Sequence, residues 1–193
     1  LQYRYIVSSA FPRGSKDVLA SDGDTKKYDQ IHNRYHPEFK DYLNRFGFQD
    51  LYLADIEGNI IYSVKKKIDF ATNLLSGPFR NSNISNAFRQ IKTITLDNKN
   101  NSGSSWTDFS FYLPSGNAPA AFIALPIYTK NRLLSCLIIQ LSITQINMVM
   151  TNNGNWFKDG LGKTGETYIV GPDFKMRNDS RFLIETPVAF KKH

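Results

Sequence analysis

Apolar positions fall in two rhythms along the chain, and each predicts a kind of element. Between residues 25 and 46 they recur at three- and four-residue steps, at Tyr28, Ile31, Tyr35, Phe39, Tyr42, Leu43 and Phe46. That is the spacing of one helix face. Pro37 interrupts the run, so the pattern predicts two helices or one kinked helix, ended by Gly47. Residues 50–55 and 60–64 are short apolar-rich runs on either side of Glu57-Gly58-Asn59, which predicts a β-hairpin. Helical spacing returns at Ile84, Phe88 and Ile91, behind a capping Ser82 or Asn83. Runs at 106–113, 119–128 and 133–142 predict three more strands, separated by turns at 114–117 and 130–132. A helix is predicted over 143–151. Residues 1–10 read as the end of a helix, 11–24 as a loop and 97–105 as a polar loop.

The run Leu-Leu-Ser-Cys-Leu-Ile-Ile-Gln-Leu-Ser at 133–142 is the most apolar stretch. It does not alternate, which predicts a strand covered on both faces; a buried helix segment is the competing reading. About ten residues are too few to span a bilayer, which takes roughly 20. To bury this strand in the middle of a sheet, the last strand has to lie beside the first. The expected fold is therefore α+β: a five-stranded antiparallel sheet of order 2-1-5-4-3, PAS-like. Crossover helices cover one face and a long N-terminal helix the other.

A weaker signal follows. Residues 166–171, 172–174 and 175–181 repeat the pattern of the hairpin at 50–64, with Tyr168 in the place of Tyr52 and Asp173 near that of Asp55. Too little chain follows to finish a second sheet. Either a second PAS-like module is incomplete here, or this tail packs as a hairpin on something else. The expected division is an N-terminal helical segment (1–47), a PAS-like module (48–150), and a connector with a partial second module (151–193).

Composition narrows the function classes. With 193 residues, 41% hydrophobic and 13% aromatic, the chain suits a packed globular protein. A net charge of +7 invites a nucleic-acid or protein interaction surface. The cations are spread out, however, and the one dense run, Lys65-Lys66-Lys67, is expected to be a solvated strand end. The single cysteine, Cys136, lies in the central strand and is expected to act as a small apolar side chain. The chain begins at Leu1 with neither an initiating Met nor a signal peptide, which points to a piece of a longer protein.

Most motifs that carry chemistry fail on context. Gly160-Leu-Gly162-Lys-Thr-Gly165 fits a dinucleotide fingerprint but precedes a predicted strand, 166–170, where the fingerprint needs a helix. A flexible turn is expected there. His32 and His36 have metal-pair spacing without a third ligand, and are expected at the surface or as caps. No nucleophile elbow is present, so no catalytic residue, metal or cofactor is assigned and no enzyme is expected. One cluster stands out: Trp106, Asp108 and Tyr112 on one predicted strand, Phe122 on the next and Tyr62 on the hairpin. An acid within an aromatic wall is a way to bind an amine or another small polar molecule. Alternatively these rings fill the core and Asp108 faces water.

A family resemblance joins these segments. Tyr35-His36-Pro37, 49–55, 58–64, Asp69-Phe70, Gly77-Pro78-Phe79, 106–109, 112–115, 119–127 and 165–173 with 176–181 look like the double Cache sensor regions of bacterial membrane receptors. Those receptors include chemotaxis receptors, sensor histidine kinases and membrane cyclases. The resemblance implies a periplasmic or otherwise extracytoplasmic sensor, anchored in the inner membrane through flanking helices. It implies a membrane-distal module that binds a small molecule, a membrane-proximal module, and a homodimer. No nucleic-acid partner is expected. Around Trp106 the chain departs from the arginine-and-tryptophan signature of amino-acid-binding members. The alternative to a sensor is a basic protein- or nucleic-acid-interaction module.

Overall fold

A computed structural model describes residues 1–12, 14–19, 27–97, 103–130 and 132–190. The chain forms two compact units, Leu1–Leu141 and Ser142–His193. In the first, β1 (Asp50–Asp55) pairs antiparallel with β2 (Ile60–Ser63) and with β5 (Arg132–Gln140). On its other side β5 pairs with β4 (Ala118–Thr129), which pairs with β3 (Ser105–Tyr112). The order is β2-β1-β5-β4-β3, as the hydrophobic pattern predicts.

Register sorts the side chains onto two faces. Tyr52 stands opposite Ile138 and Ile138 opposite Ala124; one residue along, Leu53 stands opposite Leu137. Tyr52, Ala54, Ile138, Ala124 and Phe122 belong to the larger core. Leu51 and Tyr62 belong to a smaller one on the other face. The central strand is less uniformly covered than expected: Ile138 and Cys136 are buried, whereas Leu134 near its start is 56% exposed.

Helix α2 (Asn83–Asp97) covers the larger face with Ile84, Ala87, Phe88 and Ile91, at the predicted spacing. Polar side chains fix its entry. Asn83 Nδ2 donates to the carbonyls of Ala120 and Asp108, Thr107 Oγ1 donates to Asn83 O (3.3 Å), and Ser105 Oγ donates to Ala87 O (2.7 Å). The exposed edge of β2 is covered by residues 71–72: Ile60 N donates to Thr72 O (2.9 Å) and Ala71 N to Ile60 O (3.1 Å).

Helix α1 (Lys27–Phe46) packs Leu43 and the half-buried Phe39 against the other face. It is one helix that runs through Pro37; the two-helix alternative does not occur. The buried stripe is set by Asp29, His32, His36 and Leu43. Both histidines are therefore core residues, 3% and 2% exposed, which corrects the expectation of surface or capping histidines. Residues 1–10 contain a π-helical turn, Tyr3–Val7, with Tyr5 buried. Parts of the predicted loops at 11–24, 97–105 and 130–132 lie outside the described residues.

The second unit holds α3 (Ile143–Met150, capped by the Ser142 hydroxyl), α4 (Arg181–Glu185) and α5 (Pro187–Phe190). The strand predicted over 166–170 is not a strand among the described residues: a single antiparallel bridge joins Val170 to Met176. Side chains take the place of a ladder. Asn178 bonds Ile169 N (2.6 Å) and Thr167 O (3.1 Å), and the Glu166 carboxylate accepts from Ser180 Oγ and Arg181 N (each 2.8 Å).

Candidate ligand-binding site

The five residues of the predicted aromatic wall do not form one wall. Tyr112 and Phe122 meet, at 5.1 Å between ring centroids in an edge-on arrangement, and both are buried in the larger core beneath α2. Tyr62 points to the other face, where its hydroxyl lies 2.7 Å from His36 Nδ1. Trp106 is 67% exposed on the edge strand and registers with Ile123 rather than with Phe122. Asp108 sits in an irregular stretch of β3 between Thr107 and Ser110, is half-buried, and accepts from the Phe109 amide (2.7 Å).

Beside Tyr112 lies a polar centre that the strand pattern hides. The Tyr112 hydroxyl donates to Asp69 Oδ2 at 2.5 Å, and Asp69 is fully buried. Its other oxygen, Oδ1, takes no hydrogen bond from the described residues, a costly arrangement for a buried carboxylate. Burial, and then the charge of Asp50, push the Asp69 carboxyl up to about 6, against the pull of Tyr112, Lys67 and Tyr52. Near neutral pH this group can therefore hold or release a proton.

The centre runs to one end of the sheet. The Tyr52 hydroxyl donates to Gln140 Oε1 (3.3 Å). Lys67 Nζ donates to the same oxygen (2.9 Å) and to Ser115 Oγ (3.1 Å), and Gln140 Nε2 donates to Ser115 Oγ (2.9 Å). Asp50, at the start of β1, accepts from the amides of Leu51 (2.8 Å) and Lys65 (3.1 Å) and from Ser63 Oγ, with Lys67 Nζ 3.7 Å away. Burial raises its pKa despite those partners.

Lys67 and Ser115 also line a cleft of about 240 Å³ at this end, together with Lys16, Lys65 and Lys66. The lysine run is thus not the solvated strand end expected. Lys66 is 1% exposed, and it adopts a left-handed backbone with φ of 48°. Its ammonium meets Lys16 O, Val64 O and His36 Nε2, each at 3.3 Å. Burial, foremost, lowers its pKa to about 7. Another hollow, about 540 Å³, runs along α1 between Tyr28, Ile31, Tyr35, Phe39 and Ile61 and is almost wholly apolar.

No family model and no curated protein matches the chain. Sensor and ligand-binding domains are among the solved structures similar to it. One is the sensor domain of the histidine kinase DctB from V. cholerae, at 19% identity and a TM-score of 0.41, covering 62% of this chain and 39% of that one. Another is the ligand-binding domain of the chemoreceptor CtaA from Pseudomonas fluorescens. In complex with L-serine it matches at 14% identity and a TM-score of 0.43, over 70% of this chain and 49% of its own. In complex with L-isoleucine it matches at 14% and 0.42, over 70% and 46%. The chain spans less than half the length of each of these structures.

Of the residues that define the centre, periodicity places Asp50 and Tyr52 only in a hairpin strand and Gln140 only in the apolar run, and Asp69 falls only within the family resemblance. The available signal was a charge placed against the apolar rhythm: Asp69 stands between Ile68 and Phe70, and Gln140 between Ile139 and Leu141. Among the described residues no group of three or more His, Cys, Asp and Glu side chains could hold a metal. None of the described helices is long and apolar enough to cross a membrane.

Proposed function

We propose that the chain is an extracytoplasmic ligand-sensing region of the double Cache type, part of a bacterial transmembrane receptor. It binds a small polar molecule in its larger unit and passes a conformational change to a cytoplasmic output. The observation that carries this reading is the buried carboxyl of Asp69. It accepts from the Tyr112 hydroxyl and lies beside Tyr52, two side chains of the larger core in a sheet of order β2-β1-β5-β4-β3, with one acceptor oxygen unused by the described residues. A fold held only for its own stability gains nothing from such a group, whereas a binding site does. A ligand that prefers one arrangement of α2 over the sheet would shift the balance between two signalling states. Of the five residues first singled out, Tyr112 and Phe122 belong at the centre of the site. Trp106 and Asp108, on β3, belong at its margin, and Tyr62 belongs to the opposite face.

The alternative, a basic interaction surface, depends on an outward lysine run. Lys66 is buried, Lys65 pairs with Asp17 at 3.2 Å and Lys67 with Asp50 at 3.7 Å, which supports a pocket over a surface. A thermal-shift panel of amino acids, carboxylates, amines and purines tests the binding. A true ligand at about 100-fold excess over its Kd raises Tm by roughly 5–10 °C, and Asp69→Asn and Tyr112→Phe reduce that rise. Grafting the chain between the transmembrane helices of a receptor with a measurable output tests the signalling. A panel without a hit, or a graft that stays silent to every hit, overturns the reading.

A further inference from the structure

The cleft at the end of the sheet has a chemistry of its own. It is lined by Lys16, Lys65, Lys66 and Lys67 with Ser115, and among the described residues no carboxylate lines it. Ile6, Ile68 and Pro114 give it an apolar side. Two of its cations already have counter-charges: Lys65 pairs with Asp17, and Lys67 lies against Asp50. Asp17 is shared further with Lys40 of α1 at 3.5 Å. Lys66 differs. It is the most deeply buried of the four, and its partners are two main-chain carbonyls and an imidazole; no carboxylate of the described residues pairs with it. A buried ammonium with no carboxylate of the described residues in contact is unfavourable, even with the charges of Asp50 and Asp17 nearby, and a left-handed backbone at a non-glycine residue adds to the cost.

We propose that this cleft is a binding site for a small organic anion, a short-chain carboxylate whose oxyanion meets the ammonium groups of Lys66 and Lys67 and the Ser115 hydroxyl, and whose body packs on Ile6, Ile68 and Pro114. About 240 Å³ leaves room for such a body beyond the head group. The site joins the polar centre under α2 directly, because Lys67 and Ser115 also bond Gln140, which bonds Tyr52. An anion that draws Lys67 toward the cleft loosens its hold on Asp50 and Gln140.

Binding is coupled to protons. The charged groups that bear on Lys66 are Asp17, Lys16 and Lys65 from the flanking chain, His36, His32 and Lys40 from α1, and Asp50 and Lys67 at the strand ends. Without an anion Lys66 titrates at about 7. A bound carboxylate favours its charged form, so affinity falls as pH rises above that value, by up to about tenfold per unit.

This inference deepens the sensor reading and rests on it for its biological meaning. Its test does not, because it uses the chain alone. Sodium acetate, propionate and butyrate are titrated against sodium chloride of equal ionic strength, by calorimetry and thermal shift, at about pH 6 and about pH 8.5. The expected result is stabilisation by the carboxylates beyond chloride, stronger at the lower pH. Ser115→Ala weakens it several-fold, and Lys66→Met, checked for folding by circular dichroism, abolishes it. Equal stabilisation by chloride, or carboxylate binding unchanged in Lys66→Met and Ser115→Ala, overturns the proposal. Anion binding with a silent receptor graft leaves the site standing and removes the receptor. A graft that answers only to uncharged or cationic ligands, with no anion bound, removes the site.

Discussion

Lys66 Nζ and the main-chain carbonyl of Asp17 compete for one nitrogen. His36 Nε2 lies 2.9 Å from Asp17 O and 3.3 Å from Lys66 Nζ. If Nε2 carries the proton it donates to Asp17 O, and Nδ1 accepts from the Tyr62 hydroxyl at 2.7 Å. The Lys66 ammonium then faces an N–H rather than a lone pair. If Nε2 is bare it can take a hydrogen bond from Lys66, but the Asp17 carbonyl loses its donor. Burial, and next the Lys66 charge, hold His36 down to about 4.

Stability should therefore rise with pH on the alkaline side of neutrality. Lys66 titrates at about 7 in the folded chain against 10.5 in its ordinary state. Between those values the unfolded chain binds more protons, so raising the pH favours the fold. The slope approaches about 1.4 kcal/mol per pH unit. Above about pH 10 the buried tyrosines, whose pKa values are raised by burial, reverse it. Urea midpoints across this range check the slope, and Lys66→Met flattens it. A slope that survives in the variant assigns the protons elsewhere.

Asp69 has the opposite sign. Its folded value of about 6 lies above the ordinary 3.8, so the stability it contributes is present at low pH and is lost as pH rises through 6. Asp69→Asn removes that loss. Relative to the parent chain, the variant gains up to about 3 kcal/mol between pH 4 and pH 7, whatever its absolute stability. Tyr112→Phe leaves the carboxyl without its 2.5 Å hydrogen bond and costs about 1–2 kcal/mol. Denaturation of both variants at the two pH values separates these effects.

How much of this was legible beforehand follows from what periodicity can carry. The sheet order could be read because 133–142 is too apolar for an edge, and a five-strand sheet has few ways to bury its last member. The face of α2 was equally plain in Ile84, Phe88 and Ile91. The site was not, because its polar residues sit at positions the rhythm assigns to the core or to solvent. Lys66 is the middle of an apparently solvated run yet turns inward at a positive φ. His32 and His36 share the buried stripe of α1 with Asp29, which takes the Tyr5 hydroxyl and Arg4 at 2.5 Å each. As aromatics, Tyr62 and Tyr112 look alike in the sequence, but the strand pleat sends them to opposite faces.

The hairpin turn makes a sharper test of backbone geometry. Gly58 has φ of 87°, and a Cβ there would stand 3.1 Å from Leu75 Cγ and 3.2 Å from Phe88 Cε1. Gly58→Ala meets both a left-handed backbone and a packed α2 side chain, so it costs about 1–3 kcal/mol. Thermal unfolding checks this. Gly116, also at positive φ but with nothing within 4 Å of an added Cβ, should lose only the backbone part.

Cys136 reports on the integrity of the sheet centre. It lies on β5 with 1% exposure, opposite Ala54 on one side and Pro126 on the other. Burial pushes its thiol up to about 12, so neither access nor thiolate is available near neutral pH. A thiol-specific reagent should therefore label the chain only as fast as the sheet opens. The modification rate should rise with urea in parallel with unfolding measured by circular dichroism, and a ligand bound under α2 should slow it in proportion to the stability it adds. Rapid labelling of the folded chain in plain buffer would mean that β5 does not occupy the middle of the sheet.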